Sequence, residues 1–141
     1  MFRVTPSAGC GTAVTLGQVT GISNLCLDDS GSGTANGTPI IDYTCGGTAN
    51  QQWTVATDGT VRTLGACLDV PGSATASGTD VDLHACDGSS GQQWTYNLAG
   101  ELINPHSGDC LSVTGSNKSS GAKIEILRCG VGRAAQTWSL P

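Results

Sequence analysis

Three sets of residues in the sequence could hold a small polar ligand. Asp28 and Asp69 each stand two places after a cysteine, and Ser112 fills the matching place further along. Tyr43, His84 and Leu127 each stand two places before the next cysteine. Asn50, Gly91 and Ala135 each stand three places before a tryptophan. The first set therefore offers a carboxylate, an aromatic ring and an amide. The second offers a carboxylate and an imidazole, and the third offers none of these. Core columns keep their character in every copy, whereas a ligand site can be kept once, half kept once and lost once. The chemistry suits a sugar. A tyrosine ring stacks on the C–H face of a pyranose. An ionised carboxylate accepts strong hydrogen bonds from neighbouring hydroxyls, and an asparagine amide both donates and accepts at the same rim. The competing role for Asp28 and Asp69 is to cap a turn at a strand end. On residue chemistry alone the two readings stand level.

An internal threefold repeat positions these residues. CLDDSGSGTANGTPIIDYTC, CLDVPGSATASGTDVDLHAC and CLSVTGSNKSSGAKIEILRC align without a gap, from Cys26 to Cys45, Cys67 to Cys86 and Cys110 to Cys129. Two glycine columns coincide: Gly31, Gly72 and Gly115, then Gly37, Gly78 and Gly121. A Gln-x-Trp follows each copy, giving Gln51 with Trp53, Gln92 with Trp94 and Gln136 with Trp138. The repeats cover about 17–57, 58–99 and 100–141, and residues 1–16 read as a tail or linker remnant that carries the odd cysteine, Cys10.

Each repeat reads as β. In the first, Ile41, Tyr43 and Cys45 alternate with Asp42 and Thr44. The second places Val81, Leu83 and Ala85 against Asp82 and His84; the third places Ile124 and Ile126 against Glu125 and Leu127. Asp58-Gly59 between β-prone runs predicts a hairpin turn. About twelve short strands, four per repeat, point to a closed pseudo-symmetric barrel with no free edge. The tryptophans, present in every copy, are expected in the core, with the nearby glutamines bonding to backbone. The simplest cysteine pairing lies within each repeat: Cys26–Cys45, Cys67–Cys86 and Cys110–Cys129. A bridge of this loop length contributes roughly 3 kcal/mol. No Cys-x-x-Cys cluster with histidine partners supports a metal site instead.

Composition narrows the function classes. The 141 residues amount to one domain, with 12% charged residues and 21 glycines, which fits a turn-rich fold. A net charge of −5 disfavours nucleic acid as a partner. No apolar run approaches a membrane span. Seven cysteines point to an oxidising compartment, although Met1-Phe2-Arg3 opens no signal peptide, so a longer exported precursor, or expression without the leader, is expected. Catalysis is disfavoured. The glutamates are Glu101 and Glu125 alone, no nucleophile elbow occurs, and His106 reads as an exposed turn residue between repeats. The Asn36-Gly37-Thr38 sequon is expected beside the first pocket, where a glycan would block it.

The Cys-Leu-Asp start, the Asn-Gly-Thr, the aromatic two before cysteine and the Asn-Gln-Gln-Trp ending resemble ricin-B-type lectin domains. Among these they look most like the β-trefoil carbohydrate-binding modules attached to bacterial xylanases and other glycoside hydrolases. The resemblance covers about residues 17–141. It implies an all-β β-trefoil with one potential sugar pocket per repeat and galactose or xylose units as ligands. Carried over by position, the first pocket is Asp28, Tyr43, Asn50 and Gln51, and the second is Asp69, His84 and Gln92. Gly91 departs from the usual asparagine, and Asp82 partly compensates; Ile41 takes the matching place in the first pocket. The third pocket is expected to be weak or dead. The expected protein is a secreted, non-catalytic and monomeric glycan-binding module without metal or cofactor, linked to a catalytic domain. A free-standing lectin and a protein-binding or protease-inhibitor β-trefoil are the alternatives.

Overall fold

The computed structural model describes residues 15–141, so Cys10 and most of the tail lie outside the described residues. The chain is all β, with no α-helix among the described residues. Its first repeat supplies β2 (Cys26–Asp29), β3 (Thr38–Tyr43) and β4 (Trp53–Val55), preceded by a short β1 (Thr15–Gly17) that pairs with β4. The second supplies β5 (Val61–Thr63), β6 (Ala66–Asp69), β7 (Asp82–His84) and β8 (Thr95–Tyr96). The third supplies β9 (Leu102–Asn104), β10 (Asp109–Val113) and β11 (Ile124–Leu127). The two places missing from a set of four per repeat are Thr20 and Ser139, which bridge each other and close the ring. The fold is a β-trefoil.

Each repeat is built on one hairpin: β2 with β3, β6 with β7, and β10 with β11, all antiparallel. One face of each hairpin enters the core. Leu27, Leu68 and Leu111 form one threefold layer, and Ile40, Val81 and Ile124 form another, all nearly inaccessible. Trp53, Trp94 and Trp138 fill a third layer as the largest apolar side chains available. Each indole N–H donates to the carbonyl of the matching leucine, at 2.9, 3.1 and 2.9 Å. The tryptophans are thus core residues, as expected.

The three expected disulfides form, with Cα separations of 5.2, 5.1 and 5.0 Å. The turn at Asp58-Gly59 joins β4 to β5. Asp58 Oδ1 accepts from the Thr60 amide at 3.0 Å, and Gly59 takes φ 90°, a backbone that favours glycine.

The second glycine column stitches the repeats into a ring. Gly37 donates to the Leu83 carbonyl, Gly78 to that of Ile126, and Gly121 to that of Asp42. Each repeat thus reaches into the next, and the third returns to the first. All three glycines sit at φ between 93° and 96°, a conformation an L side chain rarely adopts. Residues just before them repeat the pattern. Asn36 Oδ1, Ser77 Oγ and Ser120 Oγ accept from the amides of Ala85, Arg128 and Thr44.

Repeat one departs from its siblings in a way its alternation does not announce. The apolar-looking side of β3, Ile41 and Tyr43, faces outward; Ile40 and Asp42 face the core. Asp42 occupies the position of Leu83 and Ile126, and its Oδ1 accepts from the Ala122 amide at 3.0 Å. Burial raises its carboxyl above the ordinary range, and these backbone donors oppose the rise. Asp29, in the position of Val70 and Val113, is fully buried with neither carboxyl oxygen partnered.

Candidate functional site

The outward face of the first hairpin forms the floor of a shallow pocket. Asp28 on β2 lies opposite Ile41 on β3, and Tyr43 follows on the same face. The turn at Ser30–Ser32 makes one wall. A single 3-10 turn, Ala49–Gln51, brings Asn50 and Gln51 up behind the aspartate. All four residues expected in the first pocket therefore line one cavity, together with Ser32, Ile41 and Thr48.

Their roles differ. The Asp28 carboxylate is only 5% exposed and is held at both oxygens. Asn50 Nδ2 donates to Oδ1 at 3.2 Å and Gln51 Nε2 to Oδ2 at 2.8 Å. Burial raises its carboxyl above the ordinary range, and the donations from Gln51 and Asn50 oppose this. Asn50 also donates to the Asp29 carbonyl at 2.9 Å. Gln51 is buried, accepts from the Gly46 amide at 2.8 Å and donates to the Thr44 carbonyl at 3.1 Å. Its amide braces the loop after the disulfide. Tyr43 remains half exposed, its ring available as a platform. The result is an oriented acceptor beside an apolar ring, the arrangement a pyranose edge and C–H face require.

The second pocket gathers Asp69, Asp82 and His84, and adds Ser73, Asp87 and Ser89. Gln92 lies behind it, fully buried, accepting from the Asp87 amide at 3.0 Å and donating to the Ala85 carbonyl at 3.0 Å. Asp87 and Ser89 were not anticipated; the signal was the Asp-x-Ser spacing, a turn in which Asp87 Oδ1 accepts from the Ser89 amide at 2.9 Å. Asn36 also lines this second pocket, reaching over from repeat one. The expectation that it flanks the first is corrected: the interlocking ring carries the loop after β2 onto the next repeat.

Gly91 has a physical reason. A Cβ there would stand 2.6 Å from the Val70 carbonyl oxygen and 3.0 Å from Ser73 Cα. Putting back an asparagine, Gly91→Asn, is expected to destabilise the fold by about 1–3 kcal/mol without strengthening ligand binding. Urea unfolding and a ligand titration of that variant check both halves.

In the third repeat Ser112 and Ala135 are buried, and Leu127 stands where the ring or imidazole would be. Ser112 Oγ has no partner. His106 is exposed in a turn, away from any nucleophile–base pairing among the described hydrogen bonds. Among the described residues, one group of possible metal ligands is compact: Glu101, Cys110 and Cys129. Its two sulfurs are bonded to each other, leaving a single carboxylate. No helix among the described residues is long and apolar enough to cross a membrane.

Comparison with known proteins gives this geometry a family. A seed lectin of Trichosanthes anguina is 33% identical over 121 residues, covering 86% of this chain and 23% of its own length. A glucan endo-1,3-beta-glucosidase of Cellulosimicrobium cellulans is 63% identical over 94 residues, 66% of this chain and 17% of the enzyme. The chain thus spans less than a quarter of these curated relatives. A non-toxic homologue of type II RIPs from Momordica charantia, solved with α-methyl-D-galactoside, superposes with a TM-score of 0.81 at 31% identity, covering 89% of this chain and 47% of that one. Residues 15–138 match the model of the ricin-type beta-trefoil lectin domain, and the chain belongs to that family.

Proposed function

We propose that this domain binds galactose- or xylose-containing glycans without catalysis, through the pockets of repeats one and two, and that it targets a secreted glycoside hydrolase to its polysaccharide. The observation that carries this reading is the Asp28 carboxylate, buried yet aimed into an open pocket beside Tyr43, with both oxygens fixed by amide donors. A carboxylate oriented at this cost in burial suits a ligand rich in hydroxyl donors. Asp28, Tyr43 and Asn50 make the contacts in the first pocket; Asp69 and His84 make them in the second, where Asp82 stands opposite Asp69. Gln51 and Gln92 support the pocket walls. The glucosidase relative supports attachment to a polysaccharide-degrading enzyme, and the galactoside bound to the Momordica protein supports the sugar class. Three disulfides fit an extracellular site of action.

The test is an NMR titration of the labelled domain with galactose, lactose, xylose and short xylo-oligosaccharides. Shifts confined to the surroundings of Asp28 and Tyr43 and of Asp69 and His84, with the third repeat silent, are expected. No shift with any of these sugars, beside clear binding to a protein partner or inhibition of a protease, would overturn the reading.

A further inference from the structure

The two candidate pockets hold their aspartates by different means. In repeat one, Asn50 and Gln51 both donate to Asp28. In repeat two neither contact is made among the described hydrogen bonds: Gly91 has no side chain, and Gln92 Nε2 keeps the backbone contact, to the Ala85 carbonyl, without donating to Asp69. Asp69 is nevertheless 5% exposed, and among the described hydrogen bonds no protein N–H or O–H donates to its carboxylate. Directly opposite it in the antiparallel register stands Asp82, where repeat one has Ile41 opposite Asp28. Asp82 Oδ1 is buried and without a donor. Two carboxylates thus face each other across the strands, with no donor from the rest of the described chain to Asp69 or to Asp82 Oδ1.

We propose that Asp82 is the positioning residue of the second pocket: its protonated carboxyl donates a hydrogen bond to the Asp69 carboxylate and does there what Asn50 and Gln51 do for Asp28. The proposal rests on the reading that this pocket binds a sugar. The two features coincide in repeat two, which has Gly91 in the asparagine column and an acid directly across from its aspartate. Burial pushes the Asp82 carboxyl up to about 7, with the hydrogen bond and charge of Asp69 adding to the effect. His84 and Asp87 line the same pocket. On the other side Asp80 and Lys123 flank Asp82 and pair with each other at 3.9 Å, and Glu125 bridges to Asp80. β3 places Pro39, which has no charge, opposite Asp82.

The sign follows. The donor exists while the pair holds its proton and is lost as pH rises through about 7, when two carboxylates face each other and Asp69 is no longer held. The second pocket should therefore weaken by about tenfold or more between about pH 5.5 and 8.5, the scale of a lost hydrogen bond to a charged group. The first pocket has no such pair; its neighbouring acid Asp29 is pushed up to about 6, so this pocket should stay level from about pH 7 to 8.5, where the second still weakens.

The test follows sugar titrations of each pocket by NMR across that range, in the wild type and in Asp82→Asn and Asp82→Ile. The asparagine amide donates at every pH, so its second pocket should bind strongly and without pH dependence. The isoleucine variant should bind weakly throughout, and Tyr43 should report an unchanged first pocket in all three. Carboxyl carbon shifts of the sugar-free protein should show the Asp82 carboxyl kept protonated to near neutrality. A second pocket that is level in the wild type, or equally pH-sensitive in Asp82→Asn, overturns the proposal. If neither pocket binds sugar, the functional reading fails and the carboxyl titration alone decides the Asp82 proton: its loss near pH 4, about the ordinary aspartate value, overturns the proposal.

Discussion

Asp28→Ala combined with Asp69→Ala should abolish binding to a polymeric glycan while leaving the domain folded. Each substitution removes the acceptor on which a sugar hydroxyl pair would be oriented. Hydrogen bonds to a charged group contribute about 1.5–3 kcal/mol each, so a single pocket loses at least tenfold to a hundredfold in affinity. A shallow pocket starting near ~1 mM has little to lose before it falls silent. A polymer that bridges both pockets also depends on effective concentration, which can add ~10²–10⁴ in avidity and disappears with either partner. Each single variant should therefore lose most of the polymer binding, and the double variant all of it. The fold should survive because the neighbours keep other partners. Without Asp28, Asn50 still donates to the Asp29 carbonyl at 2.9 Å and Gln51 to the Thr44 carbonyl at 3.1 Å. Retention on an insoluble polysaccharide, with tryptophan fluorescence as the check on folding, measures both. Undiminished retention of the double variant would sink the site assignment.

The fold was largely legible because it repeats. A cysteine pair, two glycine columns and a Gln-x-Trp, each seen three times, leave few architectures, and the roles of Trp53, Trp94 and Trp138 followed from their presence in every copy. What could not be read was the relation between repeats. Asn36 looks local to the first pocket along the chain, yet its Oδ1 accepts from Ala85 and its side chain lines the second. That contact exists only because the ring of glycine amides hands each loop to the next repeat. The buried acids were hidden for a different reason. Asp29 and Asp42 look like ordinary surface residues in an alternating strand, and only alignment against Val70, Val113, Leu83 and Ile126 shows that they stand in core positions. Within the pockets, Asp28, Tyr43 and Asn50 were visible as varying columns. The bracing role of Gln51 and Gln92 was partly visible too, since a residue kept in all three copies belongs to the frame rather than to a site that decays.

Asp29→Val should raise stability at neutral pH by about 2–3 kcal/mol. The side chain is fully buried, and neither carboxyl oxygen has a partner. Desolvation, with a smaller contribution from the charge of Asp28, pushes its carboxyl up to about 6 from an ordinary value of 3.8. The sign is set by that upward direction. The folded chain holds a proton that the unfolded chain has already released, so wild-type stability is greatest below the unfolded value. The Asp29 contribution declines as pH rises from about 4 to about 6 and is level above that. Valine does not titrate, so the gain should grow across that window and then hold constant. The replacement also fits, because repeats two and three place Val70 and Val113 in this position, both inaccessible and packed in the common core. Binding should persist, since the first pocket uses only the main-chain carbonyl of residue 29, which valine keeps. Denaturant unfolding at about pH 4.5 and 7.5 reads the difference directly. Equal stability of the two proteins at the higher pH would mean that the Asp29 carboxylate is satisfied after all, by water or by a rearranged donor, and that the first repeat tolerates its buried charge without cost.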